Sequence, residues 1–336
     1  MKALYPLSLV YSFLYKLDKN LSKPKRLQKP VISVGNITVG GTGKTPIVIE
    51  LLKFLVKNKV KPTVLTRGYL RKAKKTVLLK NGTTNLDVTI SGDEPMLIAK
   101  SVPETFVIVG TNRYCNARKF ENKINTDVYV LDDGFQHWSI QRDLDIVCIN
   151  AFNPFGNGML LPAGILREPI KALKRADIIM LTNSDMISQT QLASLRNEIL
   201  SLTEKDSIVT YYDNFEYTSL DLKTNFDIRV LKESNLYSLS AIGFANGFEN
   251  CILKSGLEIK DSIILKDHSV FDNKFLNDVI KKYKNAYFIV TAKDAVKLDN
   301  IDEDIKRKIV VLKVTPKFIT GKEQWESSII NVLQSF

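Results

Sequence analysis

Cysteine and histidine are scarce in this chain of 336 residues, which holds three of the first and two of the second. Cys115, Cys148 and Cys251 are odd in number, far apart and without metal-ligand spacing. That pattern excludes a disulfide framework and a cysteine zinc site, and reads as reduced core thiols in a cytosolic setting. Long apolar runs are missing too. The segment Ala3–Leu17, with Tyr5, Tyr11 and Tyr15, is too short and too tyrosine-rich to span a bilayer. No small-residue cleavage site follows it, which argues against a signal peptide. There is no internal repeat and no low-complexity tract. Acidic residues are outnumbered, 36 Asp and Glu against 48 Lys and Arg, for a formal net charge of +12. Such an excess implies an acidic partner: nucleic acid, an anionic membrane surface or a phosphorylated substrate. The basic residues are scattered and lack a stacking-aromatic motif, so nucleic acid is not the expected partner.

What is present is ordinary in bulk, with 44% hydrophobic and 25% charged residues, as in a globular chain. The length exceeds the size at which one core keeps growing, so one large or two modest α/β domains are expected. Apolar runs of strand character at 31–34, 63–66, 106–109, 128–131, 146–149, 178–181 and 208–212 alternate with helical patterns at 46–57, 94–101, 113–121 and 189–202. This alternation predicts a mostly parallel sheet flanked by helices. Residues 214–235 are polar and irregular and read as a hinge or linker. Alternation then resumes to residue 333. The expected division is an N-terminal segment over 1–30, a nucleotide-binding domain over 31–225 and a smaller α/β domain over 226–336. The N-terminal segment, flanked by Lys19, Lys23, Lys25, Arg26 and Lys29, fits an interfacial helix with its aromatics at headgroup level and its basic flank facing anionic lipid. The alternative is an amphipathic helix packed on the protein's own core.

The most informative run is Val34-Gly35-Asn36-Ile37-Thr38-Val39-Gly40-Gly41-Thr42-Gly43-Lys44-Thr45-Pro46. An apolar strand enters a glycine-rich turn, and an apolar helix follows. Glycines let successive N–H groups point at a phosphate, Lys44 can reach terminal phosphates, and the Thr45 hydroxyl can ligate Mg²⁺. Pro46 suits a first helical turn, and the helix N-terminus favours an anion. The usual phosphate-loop pattern has Gly where Thr38 stands, so this is a variant built on the Gly40-Gly41 pair. The fold class expected is therefore P-loop NTPase-like.

Ligands of open α/β sheets sit beyond the carboxyl ends of strands. Three such loops are rich. Ser91-Gly92-Asp93-Glu94-Pro95 sets two carboxylates at a glycine turn opening a helix. Val128 to Asp132-Asp133-Gly134-Phe135-Gln136-His137 is a strand ending in two aspartates, the form of a second Mg²⁺-holding element. Leu161-Pro162-Ala163-Gly164 leads into Leu166-Arg167-Glu168-Pro169, with an Arg and a Glu able to form ion pairs.

Together these runs resemble the tetraacyldisaccharide 4′-kinase family, the lipid A 4′-kinases of Gram-negative bacteria. The resemblance is carried by the phosphate loop, Arg67-Gly68-Tyr69, Gly92-Asp93-Glu94-Pro95, Asp132 to His137 and Leu161 to Pro169, in that order. It continues with Asp267-His268 and Lys293-Asp294-Ala295-Val296, so it spans nearly the whole chain. Departures are confined to the last third: Lys266 and Ser269 flank Asp267-His268 where the family favours Pro and a second His, Ala292 replaces a common Glu, and Gly243-Phe244-Ala245-Asn246 is a loose match to a Gly-Ile-Ala-x-Pro stretch.

The resemblance implies an ATP- and Mg²⁺-dependent lipid kinase acting on the 4′-hydroxyl of tetraacyldisaccharide 1-phosphate to form lipid IVA. It also implies peripheral or monotopic residence on the cytoplasmic face of the inner membrane. No obligate protein partner is implied. Gly40, Gly41, Thr42, Gly43, Lys44 and Thr45 would hold the nucleotide, and Thr45, with Asp132 or Glu94, the metal. Asp93 resembles the family's catalytic Asp and His268 its partner, which requires the second domain to close over the first. Asp133, Gln136, His137, Arg167, Glu168 and Arg67 are expected in acceptor or supporting contacts. Arg67, Arg71, Lys72, Lys74 and Lys75 could form a basic patch for the substrate phosphate or lipid headgroups. The rival reading is a membrane-associated P-loop switch that hydrolyses nucleotide. Against a GTPase, the Thr291-Ala292-Lys293-Asp294 run has adjacent Lys and Asp rather than a spaced Asn-Lys-x-Asp.

Overall fold

The computed structural model describes residues 4–80, 88–222, 224–283, 285–298 and 301–336; Ala3, where the N-terminal apolar segment begins, lies outside them. The first half runs α1 (Tyr5–Leu21), β1 (Val31–Gly35), α2 (Lys44–Lys57), β2 (Pro62–Thr66), β3 (Val77–Leu79), α3 (Val88–Ser91), α4 (Asp93–Ser101), β4 (Phe106–Val109), α5 (Arg113–Phe120), β5 (Val128–Asp132), β6 (Leu144–Asn150), β7 (Ile178–Thr182), α6 (Gln189–Thr203) and β8 (Ser207–Thr218). The second runs α7 (Ile228–Lys232), β9 (Asn235–Ser240), α8 (Ala245–Lys254), β10 (Asp261–Ile264), α9 (Asn273–Lys282), β11 (Ala286–Thr291), α10 (Ala292–Ala295), α11 (Glu303–Lys306), β12 (Ile309–Thr320) and α12 (Lys322–Gln334).

The strands of the described residues join one sheet in the order β10-β9-β11-β12-β8-β7-β6-β1-β5-β2-β4-β3. Pairing is parallel except where β8 meets β12 and β3 meets β4. The central strands β1, β2, β5, β6 and β7 are buried along their whole length, which is why they read as unbroken apolar runs. β1 lies between β5 and β6. From β1 the chain builds β2 to β5 on one side and only then crosses to β6 and β7 on the other, so a crevice opens at the carboxyl end of β1, where α/β sheets place ligands.

Residues 214–235 are not the irregular linker expected. β8 continues through Asn214 to Thr218, and α7 follows. The segment reads as polar because β8 and β12 form an antiparallel ribbon with exposed edges: Lys313 Nζ pairs with Glu216 at 2.8 Å and Lys317 Nζ with Asp213 at 2.9 Å across it. Polar residues on a solvated ribbon look like a loop in one dimension. The ribbon is the seam between the two parallel halves. The C-terminal helix crosses that seam in reverse. Trp325 of α12 packs in one cluster with Ile47, Leu51 and Leu55 of α2, with the rings of Phe54 and Phe318 each 5.2 Å away.

Helix α1 is oriented contrary to a helix packed on its own core. Its outward residues up to Leu14 are mostly apolar, including Leu7, Leu9, Val10, Phe13 and Leu14, with Leu17 exposed among charged residues beyond them. No described helix is long and apolar enough to cross a membrane.

Candidate active site

The loop between β1 and α2 is held by its own Asn36 and by side chains from four other segments. Asn36 Nδ2 donates to the Thr38 carbonyl at 2.7 Å and to Thr42 Oγ1 at 3.1 Å. Gln136 donates to the Asn36 carbonyl, Asn150 to that of Gly41, Thr182 to that of Thr42 and Tyr212 to that of Gly43. With these carbonyls engaged from behind, the loop is fixed as a turn before any ligand arrives. Gly43 has φ +70° as the residue preceding α2, and a Cβ there would lie 2.1 Å from the Tyr212 hydroxyl. Only glycine meets both conditions. At Gly41 a Cβ would stand 2.7 Å from that of Phe244, so the second half of the chain closes directly onto the loop.

Lys44 opens α2 and reaches Asp133 Oδ1 at 3.4 Å, while Arg167 Nη1 donates to both oxygens of the same carboxylate at 2.8 and 3.0 Å. Burial alone would raise the Asp133 carboxyl, but Lys44 and Arg167 outweigh it and hold it well below the usual carboxylate range. Asp132 behaves oppositely. It ends β5, buried, with Thr66 Oγ1 donating to it at 2.9 Å. Burial first, then the nearby Glu94 and Asp133 charges, push it up to about 6. Arg113, buried in α5, donates to the Asp133 carbonyl at 3.1 Å and completes this wall.

The opposite wall comes from the second half. His268 sits in the left-handed region at φ +64°, and its Nδ1 lies 3.1 Å from Asp93 Oδ2 at the start of α4. Tyr69 packs edge-on to the imidazole at 5.4 Å. Lys293 Nζ pairs with Glu94 at 2.8 Å and approaches Asp267 at 3.6 Å. Burial would lower the Lys293 ammonium, but Glu94 and Asp267 outweigh it and hold it above its ordinary range. Lys297, nearly buried, pairs with Asp294 at 2.6 Å and stands 3.9 Å from Asp93. It also donates to the carbonyl of Ser269, in the loop that carries His268, and to that of Ala241, just beyond the end of β9. The two walls enclose a cleft of about 1150 Å³.

The structure brings together most of the residues expected from sequence. Gly40 to Thr45, Arg67, Glu94, Asp132, Asp133, Arg167 and His268 line this cleft, with Asp93 hydrogen-bonded to His268 at its edge. Gln136 and Glu168 lie behind it, where Gln136 Nε2 donates to Glu168 Oε1 at 2.7 Å. His137 is not among the lining residues; its Nε2 pairs with Ser139 Oγ at 3.0 Å. Burial, followed by Arg113 and Arg142, lowers its imidazole to about 3, leaving it neutral. Arg113, Lys293 and Lys297 received no role from sequence. Lys293 and Lys297 lie four residues apart, one helical turn, and that spacing next to Asp294 was the available signal.

Among the described residues, no three His, Cys, Asp or Glu side chains gather into a ready-made cation cage. The donors present nevertheless suit Mg²⁺. Asp132, Glu94 and Thr45 offer oxygen only, and Asp132 is a buried carboxyl whose raised pKa marks negative charge short of compensation.

A glycine loop feeding a helix, backed by a strand that ends in paired aspartates and faced across the cleft by a carboxylate–imidazole pair, defines the class: a P-loop phosphotransferase. The comparisons give the family. The model of the tetraacyldisaccharide-1-P 4′-kinase family (LpxK) matches residues 1–334, and the chain belongs to that family. It is 35% identical to a tetraacyldisaccharide 4′-kinase of Halothermothrix orenii over 320 residues, covering 90% of this chain and 82% of the relative. It is 37% identical to that of Syntrophotalea carbinolica over 281 residues, covering 80% and 74%. Its fold is similar to the crystal structure of LpxK from Aquifex aeolicus in complex with ATP, with TM-score 0.77, 27% identity and 99% of each chain covered.

Proposed function

We propose that this cleft transfers the γ-phosphoryl group of ATP to the 4′-hydroxyl of tetraacyldisaccharide 1-phosphate, with Asp93 as the general base. Tetraacyldisaccharide 4′-kinase activity follows from family membership; the assignment of roles is ours. The observation that carries it is the 3.1 Å pair between Asp93 and His268, which lines up a proton acceptor across the cleft from the phosphate loop. Phosphoryl transfer is chiefly positioning and charge neutralisation. The loop amides and Lys44 hold the triphosphate. Thr45, Asp132 and Glu94 would hold Mg²⁺, which neutralises charge on the phosphates. Asp93 takes the proton of the acceptor hydroxyl as its oxygen bonds to the γ-phosphorus and the bond to the ADP oxygen breaks. His268 orients the Asp93 carboxylate and shares the proton it gains. Arg167 and Arg67 offer guanidinium groups to the acceptor's own phosphate.

The acceptor is an anionic glycolipid, and two features support its delivery from a membrane surface. The net charge is +12, and α1 presents its apolar residues outward, with Lys16 and Lys19 exposed near its end. This geometry fits a peripheral enzyme on the cytoplasmic face of the inner membrane, with residues 31–225 carrying the nucleotide and 226–336 closing over it. The test is transfer of radiolabelled phosphate from ATP to the tetraacyl disaccharide by Lys44→Met and Asp93→Ala. Both variants should fold and lose transfer. Wild-type turnover in Asp93→Ala removes that residue from the role of base.

A further inference from the structure

The face of α1 turned toward the protein is built from hydroxyls. Ser8, Tyr11 and Tyr15 lie at spacings of three and four, one face of a helix. Each is spent on the same loop. Ser8 Oγ donates to the Leu160 carbonyl at 2.9 Å and accepts from the Ala163 amide at 3.1 Å. The Tyr11 hydroxyl donates to the Arg167 carbonyl at 3.0 Å, and the Tyr15 hydroxyl to Glu168 Oε2 at 2.6 Å. Burial first, then the Glu168 carboxylate, raises the Tyr15 phenol far above its ordinary range, so it stays a donor.

Glu168 is completely buried and acts as a junction. Arg175 grips it with two nitrogens at 2.9 and 3.2 Å, its guanidinium stacked 4.3 Å from the ring of Phe135 and 4.7 Å from that of Trp138. Gln136 Nε2 bridges its other oxygen to the Asn36 carbonyl, at 2.7 and 2.8 Å, where the phosphate loop begins. The residue before it, Arg167, donates to Asp133, which pairs in turn with Lys44. Two routes therefore run from α1 to the phosphate loop. One goes through Tyr15, Glu168 and Gln136; the other through Tyr11, Arg167 and Asp133.

We propose that Tyr15 is a positioning residue for phosphoryl transfer: its bond to Glu168, with Tyr11 beside it, sets the 160–168 loop so that Arg167 and Gln136 hold Asp133 and the phosphate loop in the reactive arrangement. Helix α1 is on this account part of the active-site support as well as a membrane attachment. A short hydrogen bond to a buried carboxylate is strong, and losing it loosens the loop that aims the Arg167 guanidinium at Asp133. The proposal rests on the kinase reading above.

The test compares wild type, Tyr15→Phe and Tyr11→Phe in mixed micelles with tetraacyldisaccharide 1-phosphate and ATP. In parallel, sedimentation with phosphatidylglycerol/phosphatidylethanolamine vesicles and thermal melting are measured. Phe keeps the ring of Tyr15 against Trp138, 6.1 Å away, and removes only the hydroxyl. The expected result for Tyr15→Phe is a kcat roughly tenfold lower or more, with wild-type KM for ATP and vesicle binding and a melting temperature lower by about a few degrees. Tyr11→Phe should show a smaller loss of the same kind. A wild-type kcat in Tyr15→Phe overturns the proposal. So does a loss that appears only as weaker vesicle binding or a lower melting temperature, because the hydroxyl would then serve attachment or folding alone. If Tyr15→Phe does not fold, Tyr11→Phe decides by the same readouts. Absence of lipid phosphorylation by the wild type would instead refute the kinase reading, and the wild-type measurement of the same assay shows it.

Discussion

Removing the imidazole of His268 tests whether the two halves of the chain act as one acid–base unit. The His268 Nδ1 to Asp93 Oδ2 distance is 3.1 Å, and each side chain is only 14% exposed. A hydrogen bond to a charged group so shielded contributes about 1.5–3 kcal/mol. If that contribution is realised as the proton moves, His268→Ala slows transfer by roughly 10- to 150-fold. Asp93→Asn removes the base itself and should cost about 10²- to 10⁴-fold. The informative variant is the double one. Groups that act as a unit lose little more together than the more damaging one loses alone. The double variant should therefore be about as slow as Asp93→Asn, not slower by the product of the two losses. The assay is single-turnover transfer of radiolabelled phosphate with ATP bound to saturation, after thermal melting confirms that the variants fold. Multiplicative losses would show that His268 acts independently of Asp93, and unchanged turnover in His268→Ala would dismiss the pair altogether.

Two further predictions concern stability. His137 is held neutral, its imidazole lowered to about 3 against about 6.5 in an unfolded chain. The unfolded state therefore binds the proton first, and folding stability should fall as pH drops from about 6.5 toward 3, by at most about 1.4 kcal/mol per pH unit and by less here because the ring is partly exposed. His137→Gln should flatten that limb in urea melts at pH 7 and pH 5; parallel curves would contradict the assignment. Trp325 is 1% exposed between Phe54 and Phe318, so Trp325→Ala should cost about 3–5 kcal/mol in chemical unfolding. A cost below about 1 kcal/mol would mean that α12 is not part of the core beneath the phosphate loop.

The parts of this molecule that were readable in one dimension are those in which local chemistry and global position agree. β1, the glycine loop and α2 carry their own periodicities and turn residues, so strand, loop and helix fall where the pattern puts them. The outer part of β8, beyond the 208–212 run read as strand, failed that test because its exposed residues obey no apolar alternation, and only pairing with β12 across a long sequence interval makes it a strand. The third strand, Val77–Leu79, was missed for its brevity at a sheet edge. Within the site, Lys44, Asp93 and Asp132 stand at loop ends that follow strands or open helices, where chemistry is expected. Lys297 does not. Its ammonium reaches Asp93, Asp294 and the Ala241 and Ser269 carbonyls only after β9, α4, α10 and the His268 loop have come together, and no local pattern encodes that meeting.

Helix α1 shows how a correct pattern can still mislead about direction. Ser8, Tyr11 and Tyr15 fall on one face and the leucines on the other. In a water-soluble helix the hydroxyl face would turn outward and the apolar face would supply the core contact. Here the hydroxyls turn inward because the loop they meet is an irregular one, rich in backbone groups that need partners: the Leu160 and Arg167 carbonyls and the Ala163 amide, with the Glu168 carboxylate beside them. An apolar core face could satisfy none of these. The reversal leaves the leucines uncovered, a cost in water that disappears when lipid covers them, at roughly 25 cal/mol for each Å². The same arrangement thus answers two needs at once. The polar loop gains its donors, and the helix keeps an apolar outer face, which is the surface the proposed membrane attachment requires.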